Sequence, residues 1–344
     1  MNAVWKTFLM DQGAEFNGQM LASFGNPERE RRIPPQGHIL CDLSHVGLLR
    51  VEGDDAETFL QNQLSNDLKE VSETHSQLSS YNTHKGRMIA NLRVLKRGNS
   101  IYLKVCHDLV DVLLKKLRMY VMMSKVTLED ATASLIHFGY AGENAERYLA
   151  AAIGDIPQQV NDTVQYRSLS ITRLAGELVR FEILGEYADA QLLWDSLDVQ
   201  AAPVNSDAWR YLNIVAGIPI INAENSTAWV PQMLNFERIG GVSFTKGCYP
   251  GQEIVARLNY LGQTKRRTYH LVANTDQLPT IGDKIMVAGA EGKLSEAGSV
   301  LNAVINPDGK VEMLAVLKSA TLDKPLSLHN VAIEVLDLPY SLED

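Results

Sequence analysis

Cysteine is scarce in this chain: Cys41, Cys106 and Cys248 are the only three among 344 residues. An odd number at wide spacing argues against a disulfide framework and for a reducing compartment. No Cys-x-x-Cys or His-Glu-x-x-His spacing occurs, and Cys106-His107 alone is a weak metal signal. Three thiols also cannot make a four-cysteine iron–sulfur site within one chain. Long apolar runs are missing as well. No stretch of about 18 apolar residues is available to cross a bilayer, and the N-terminus lacks a basic region followed by an apolar run and a small-residue cleavage site. A cytoplasmic protein without a membrane partner is therefore expected. Basic excess is the third absence. A formal net charge of −9 opposes non-specific attraction to phosphate backbones, so stable direct nucleic-acid binding is not expected. Internal repeats and low-complexity segments are absent too.

What is present suits an ordinary globular protein, with 45% apolar and 21% charged residues in a chain long enough for two or three cored domains. Its most informative stretch runs Lys246-Gly247-Cys248-Tyr249-Pro250-Gly251-Gln252-Glu253-Ile254-Val255-Ala256-Arg257. Two glycines and a proline around Cys248 force a tight backbone excursion. The helix-forming run from Gln252 onward places the thiol just before a helix N-terminus, with the cation Lys246 two residues upstream. Both features favour thiolate over thiol. The competing reading is a small buried residue packed in a turn, the usual state of a free cysteine. The residues alone leave both open. Glu253 reads as an acid stabilised in the first helical turn.

Along the chain, residues 1–36 mix Gly, Asn and Gln with the charge run Glu28 to Arg32 before Pro34-Pro35, and read as a flexible, loosely packed leader. A strand around Leu48 to Val51 precedes a helix capped by Asp54 or Asp55, whose apolar positions continue through Leu64 to Leu68. The turns Thr83 to Arg87 and Arg97-Gly98-Asn99 separate strands. A helix from Leu109 to Met122 buries Val112, Leu113, Leu117, Tyr120 and Val121, and Met119, Met122 and Met123 read as core filler. Residues 129–204 follow a strand, helix, strand, strand, helix order that suggests a split βαβ unit. Ser206 is a candidate N-cap for a helix that Gly217 and Pro219 stop. Beyond Lys265-Arg266-Arg267, short strands at Tyr269 to Val272, Lys284 to Val287, Val300 to Ile305 and Glu312 to Leu317 read as a small barrel.

The thiol turn resembles the Lys-Gly-Cys-Tyr-x-Gly-Gln-Glu signature of the YgfZ family, relatives of the aminomethyltransferase (T protein) of the glycine cleavage system. Pro250 fills the variable position. The resemblance extends from about Leu40 to Glu343, through Asp42-Leu43-Ser44, Lys85-Gly86-Arg87, Ser124 to Thr127, Trp209 through Pro219, Val230-Pro231-Gln232 and the ending Leu338 to Glu343. It implies an α+β, three-domain ring of aminomethyltransferase type with a ferredoxin-like insertion and a C-terminal β-barrel. The corresponding boundaries are a discontinuous first domain over 37–128 and 205–265 carrying the Cys248 turn, the ferredoxin-like domain over 129–204, and the barrel over 266–344.

The resemblance also implies tetrahydrofolate as cofactor, in a central channel, and a role supporting iron–sulfur enzymes such as a radical tRNA methylthiotransferase. The effect on tRNA is then indirect. Trp209 matches a folate-contacting tryptophan of the family, whereas Val46 stands where some members have tryptophan and so removes a stacking partner. A lone helical tryptophan is also an ordinary core residue. Asn235, near the Pro231-Gln232 loop, is a candidate hydrogen-bond partner for the pterin, and Lys85, Arg87, Lys265, Arg266 and Arg267 are candidates for a folate glutamate tail or an acidic partner. Cys248 is the candidate functional thiol and Lys246 its thiolate stabiliser. Two alternatives remain: a true aminomethyltransferase, or a folate-binding scaffold without chemistry in which Cys248 is dispensable. T proteins lack the cysteine signature, and the asparagine-containing stretch before their catalytic aspartate is absent around Val105-Cys106-His107-Asp108, so that role is not carried onto Asp108.

Overall fold

Two open sheets, a small hairpin and a closed barrel make up the chain. The computed structural model describes residues 1–18, 20–262, 264–289 and 293–343. The first sheet is antiparallel throughout, in the order Gln77–Asn82, Met88–Arg97, Ser100–Cys106, Val46–Glu52, Thr127–Asp130. Its strands are apolar on both faces. Leu49, Val51, Val94, Leu103 and Val105 pack against Phe59 and Leu60 of the helix Ala56–Gln61 and Leu113 and Leu117 of the helix Val110–Val121. Leu48, Leu95 and Tyr102 point the other way, onto Leu184 of the second sheet.

That second sheet has the order Thr163–Tyr166, Leu169–Leu174, Arg180–Gly185, Ile136–Ala141, Ile39–Asp42, Ala202–Val204, with only its last pair parallel. Ile39–Asp42, expected with the first domain, is thus hydrogen-bonded inside the sheet of the inserted unit. All four of its residues are buried, as a strand covered on both faces should be. Phe138, Tyr140, Phe181 and Ile183 share one face with the helices Ala145–Ile153 and Tyr187–Asp198. The helix Ser206–Val215 covers part of the opposite face. Its N-cap is Asn205, whose side chain accepts from the Asp207 and Ala208 amides, so the cap lies one residue before the expected Ser206.

The C-terminal strands close into a six-stranded barrel in the order Arg266–Ala273, Val311–Lys318, Leu294–Ile305, Lys284–Ala288, Leu326–Leu328, Val331–Leu336. The last two strands, not marked by strong alternation, complete the closure that leaves no free edge. Leu301, Val304, Leu314 and Val316 of the barrel join the core of the first sheet through Ile214, Ile221, Trp229 and Phe236.

Three expectations are corrected. Residues 1–36 are packed rather than loose: Asn2 caps the helix Ala3–Asp11, a hairpin follows, and Pro27–Arg32 is a second helix. Trp5 is fully buried, stacks on Phe8 and Phe138, meets Trp194 edge-on and donates its indole N–H to Asp42 Oδ1 at 2.8 Å. Glu30, also buried, accepts from Ser23 Oγ at 2.9 Å, the Phe24 amide at 2.8 Å and the Asn205 amide at 2.9 Å. The apolar face that local composition hides is Trp5, Phe8 and Leu9. Second, the helix after Asp55 ends at Gln61 rather than reaching Leu68. Leu68 N–H is taken by Gln61 Oε1 at 2.7 Å, and Ser65 and Asn66 turn their side chains to other partners. Third, the helix Val110–Val121 buries Val110, Leu113, Leu114 and Leu117, whereas Val112, Met119, Tyr120, Met122 and Met123 are exposed. The three methionines are not core filler.

Trp5→Ala should cost about 3–5 kcal/mol, the range for deleting a buried aromatic side chain. Chemical denaturation measures it. An unchanged midpoint would mean that the N-terminal helix adds nothing to the fold.

Candidate functional site

The turn carrying Cys248 is held on both sides of the thiol. Upstream, the Ser243 amide donates to Ser65 O at 3.0 Å, Ser65 Oγ donates to Gly241 O at 2.8 Å, and Asn66 Nδ2 donates to Gly240 O at 2.8 Å. Lys246 then reaches back. Its Nζ donates to three carbonyls of the loop that follows the helix Ala56–Gln61: Gln61 O at 2.6 Å, Leu64 O at 2.7 Å and Asn66 O at 2.9 Å. Downstream, Gly251 has φ of +80° and caps the helix Gln252–Leu261. A Cβ there would lie 2.4 Å from Thr83 O and 2.6 Å from Gly86 Cα, so the thiol turn and the Thr83 to Gly86 turn interlock backbone to backbone. Between these fixed points Cys248 is exposed.

Lys246 was expected to stabilise a thiolate. Instead all three of its ammonium protons go to carbonyls on another segment, and burial pulls it down to about 8. Those bonds anchor the turn. The other two thiols differ sharply from Cys248. Cys41 is buried, donates to Asn205 O at 3.4 Å, and is pushed far up by burial, with Asp42 adding to the effect. Cys106 is pushed up to about 12, first by burial and then by Asp108.

The residues expected to hold a pterin are dispersed. Trp209 and Val46 share one apolar cluster with Cys41, Leu43 and Leu212. Trp209 is only 3% exposed. One side of its ring lies where a Cβ on Gly139 would be, 2.4 Å from Cζ3, and the Arg180 guanidinium stands 5.6 Å from its centroid. It therefore offers no free ring face. Val46 is half-buried and can serve as an apolar wall. Asn235 is fully buried in a left-handed turn, its amide donating to Thr268 O at 2.7 Å and its oxygen accepting from Arg267 Nη1 at 3.3 Å. That amide fastens the Pro231–Leu234 turn to the barrel. Of the basic candidates, Arg87 donates to Ala228 O at 2.5 Å and Arg267 pairs with Glu237 at 2.6 Å.

The sequence reading missed a polar layer between the two sheets. Arg93, Lys104 and Arg180 are all buried there, Lys104 paired with Glu182 and His137 beside it. Burial lowers all three cations: Lys104 far down, Arg93 to about 10 and Arg180 to about 9, the last with Arg93 adding repulsion. Arg180 spends Nε on Ala175 O at 2.8 Å and Nη1 on Asn213 Oδ1 at 2.9 Å, while its buried Nη2 has no partner among the described residues. The run Arg180-Phe181-Glu182-Ile183 alternates polar and apolar, which on its own reads as a strand with one wet face. Arg180 Nη2 is thus a buried donor without an acceptor among the described residues, whereas Trp209 presents no free ring face and the Asn235 amide is already bonded to Thr268 O.

Iodoacetamide at neutral pH should therefore alkylate Cys248 first, with Cys41 and Cys106 labelled slowly, as read by mass spectrometry of the digested protein. Labelling of Cys248 no faster than Cys41 and Cys106 would remove it as a functional thiol.

The family model described as GCVT N-terminal domain matches residues 13–239. Proteins named tRNA-modifying protein YgfZ, from Shigella boydii serotype 4 (strain Sb227) and Escherichia coli (strain SE11), are 32% identical over 323 residues, covering 92% of this chain and 97% of theirs. The glycine cleavage system aminomethyltransferase T from Bartonella henselae superposes with a TM-score of 0.75 at 17% identity, over 98% of this chain and 97% of that one. That likeness is one of fold. With most of its length matched by the domain model and nearly all of it by these relatives, the chain belongs to the YgfZ family of tRNA-modifying proteins, built on the aminomethyltransferase T fold.

Proposed function

We propose that this protein is a tetrahydrofolate-binding, cytoplasmic accessory factor that supports iron–sulfur enzymes and, through them, tRNA methylthiolation, with Cys248 as its working thiol. The observation that carries the reading is the contrast among the three thiols: Cys41 is buried and Cys106 half-buried, both pushed up by burial, and the third is presented on a turn held by an anchor on each side. An inert packing cysteine needs no such presentation. The relatives named as tRNA-modifying proteins supply the context.

For the folate, Arg180 Nη2 is a buried donor in need of an acceptor, and a folate offers carbonyl and carboxylate oxygens. Val46 supplies apolar wall. Trp209 backs the site by packing Arg180 in place rather than by stacking. When bound, tetrahydrofolate supplies a one-carbon carrier.

The functional test is complementation: cells lacking this protein should recover methylthiolated tRNA with wild type and not with Cys248→Ser. Full recovery by Cys248→Ser favours a scaffold. Production of methylenetetrahydrofolate and ammonia from aminomethylated lipoyl carrier protein, surviving Cys248→Ser, favours an aminomethyltransferase. Titration calorimetry tests the folate. Loss of a charged hydrogen bond worth about 1.5–3 kcal/mol in Arg180→Met should weaken binding by about tenfold or more, while Trp209→Phe changes it little. Arg180→Lys, which keeps the charge, separates that effect from misfolding.

A further inference from the structure

Of the large apolar side chains that are exposed among the described residues, an unusual share lies at the ends of two helices near the thiol turn. Met119, Tyr120, Met122 and Met123 end the helix Val110–Val121, with Met122 87% and Met123 96% exposed. Ile254, Tyr260 and Leu261 lie on the helix Gln252–Leu261, the one that follows Cys248. The Thr83 to Gly86 turn bridges the two groups, since His84 Nε2 is 3.4 Å from Tyr120 Oη and a Cβ on Gly86 would lie 3.0 Å from Ile254 Cβ. Gly251 interlocks with the same turn, which places Cys248 beside this strip.

The strip is neither solvating surface nor core. Met122 adopts φ of +41°, an uncommon value for a residue with a side chain, and the turn it makes sends two consecutive methionines outward. Beneath them a cleft of about 460 Å³ is lined by Phe59, Tyr120 and Met123 together with the polar side chains of Asp55, Thr58, Asn62 and Gln63. Gln63 is buried, and its Oε1 has no hydrogen-bond partner among the described residues. A buried carbonyl oxygen without a partner costs about 1–3 kcal/mol until an N–H or O–H reaches it.

Charge narrows the occupant. Lys115 and Lys116 precede Met119 and Tyr120 by one helical turn, Lys85 sits on the bridging turn, and Arg257 lies one turn before Leu261. None of these four cations forms an ion pair with the described residues. Asp111 and Glu253 are the exposed acids of the same two helices and Asp55 lines the cleft, so four cations stand against three acids and the strip is net basic on a chain of net charge −9. Unbranched methionines adapt to varied apolar side chains. Five of the strip's seven exposed apolar side chains are aliphatic, with Tyr120 and Tyr260 the aromatics, and aliphatic groups are poor platforms for nucleic-acid bases, which stack on aromatics.

We propose that this strip is a docking surface for a partner protein, which it grips through an acidic segment carrying apolar side chains. The apolar side chains fill the Met123 cleft, a donor group of the segment meets Gln63 Oε1, and the carboxylates face Lys85, Lys115 and Lys116. The proposal rests on the thiol reading only in its placement, as docking here brings the partner up to Cys248.

Fluorescence anisotropy on the full chain tests it with three short labelled peptides: acidic with Leu and Phe, acidic with only polar residues, and basic with Leu and Phe. The acidic apolar peptide should bind at least about tenfold tighter than either control. The pair Met122→Asp and Met123→Asp should lose that advantage, as should Lys115→Glu with Lys116→Glu, while Leu192→Asp on the remote helix Tyr187–Asp198 should not. Cys248→Ser should bind like wild type, so loss of the thiol reading leaves this result standing. Equal binding of the two acidic peptides, no binding of any, indifference to the methionine pair, or displacement of the peptide by a single-stranded RNA of equal length overturns the proposal.

Discussion

The Lys246 ammonium, lodged among the carbonyls of Gln61, Leu64 and Asn66, is the interaction on which the rest of the candidate site depends. Those carbonyls belong to a segment that has left its helix early, and a cation with three donors satisfies what the helix no longer does. Replacing a buried, fully bonded charge by a shorter side chain leaves its acceptors unpaired, which is the expensive way to break such a contact. The same loop takes Gly240 and Gly241 through Ser65 and Asn66. The thiol turn thus inherits the rigidity of the first sheet, and the chemistry of Cys248 is displayed on a surface rather than buried in a pocket.

A second constraint lies between the sheets. Arg97 donates to Leu184 O at 2.5 Å and Ser168 O at 2.8 Å, Arg93 to Ser76 Oγ at 2.9 Å and Asn161 Oδ1 at 2.7 Å, and Lys104 pairs with Glu182. The two units are therefore joined by cations that reach across to the Leu184 and Ser168 carbonyls, the Asn161 amide oxygen and the Glu182 carboxylate. Paired buried groups of this kind fix a relative placement without adding much net stability. Arg180, in the same layer, is left one partner short.

Much of this was legible in the sequence where pattern and structure share a cause. The glycines around Cys248 announced a turn because Gly251 needs positive φ and lets Gly86 approach, and four of the barrel strands are apolar runs separated by turns, as short barrel strands are. What escaped depends on partners distant in sequence. Trp5, Phe8 and Leu9 gain their meaning only from Phe138 and Trp194. Arg180 and Glu182 look like a wet strand face until a second sheet covers them. Asn235 looked free, though its amide belongs to Thr268 of the barrel. The methionines after the helix Val110–Val121 were read as core because composition cannot tell an adaptable core from an adaptable surface. Lys246, two residues before the thiol, reads from the sequence as its partner, and nothing local reveals that its ammonium also bonds the carbonyls of Gln61, Leu64 and Asn66.

The central claim, that Lys246 anchors the turn rather than activates the thiol, is tested most directly by the pH–rate profile of Cys248 alkylation in Lys246→Met, measured together with hydrogen exchange over residues 240–251. The account predicts faster amide exchange across that segment with the alkylation midpoint unmoved. A midpoint displaced upward by about one unit, the scale of a lost neighbouring charge, with amide exchange unchanged, would contradict it and return Lys246 to the role of thiolate stabiliser.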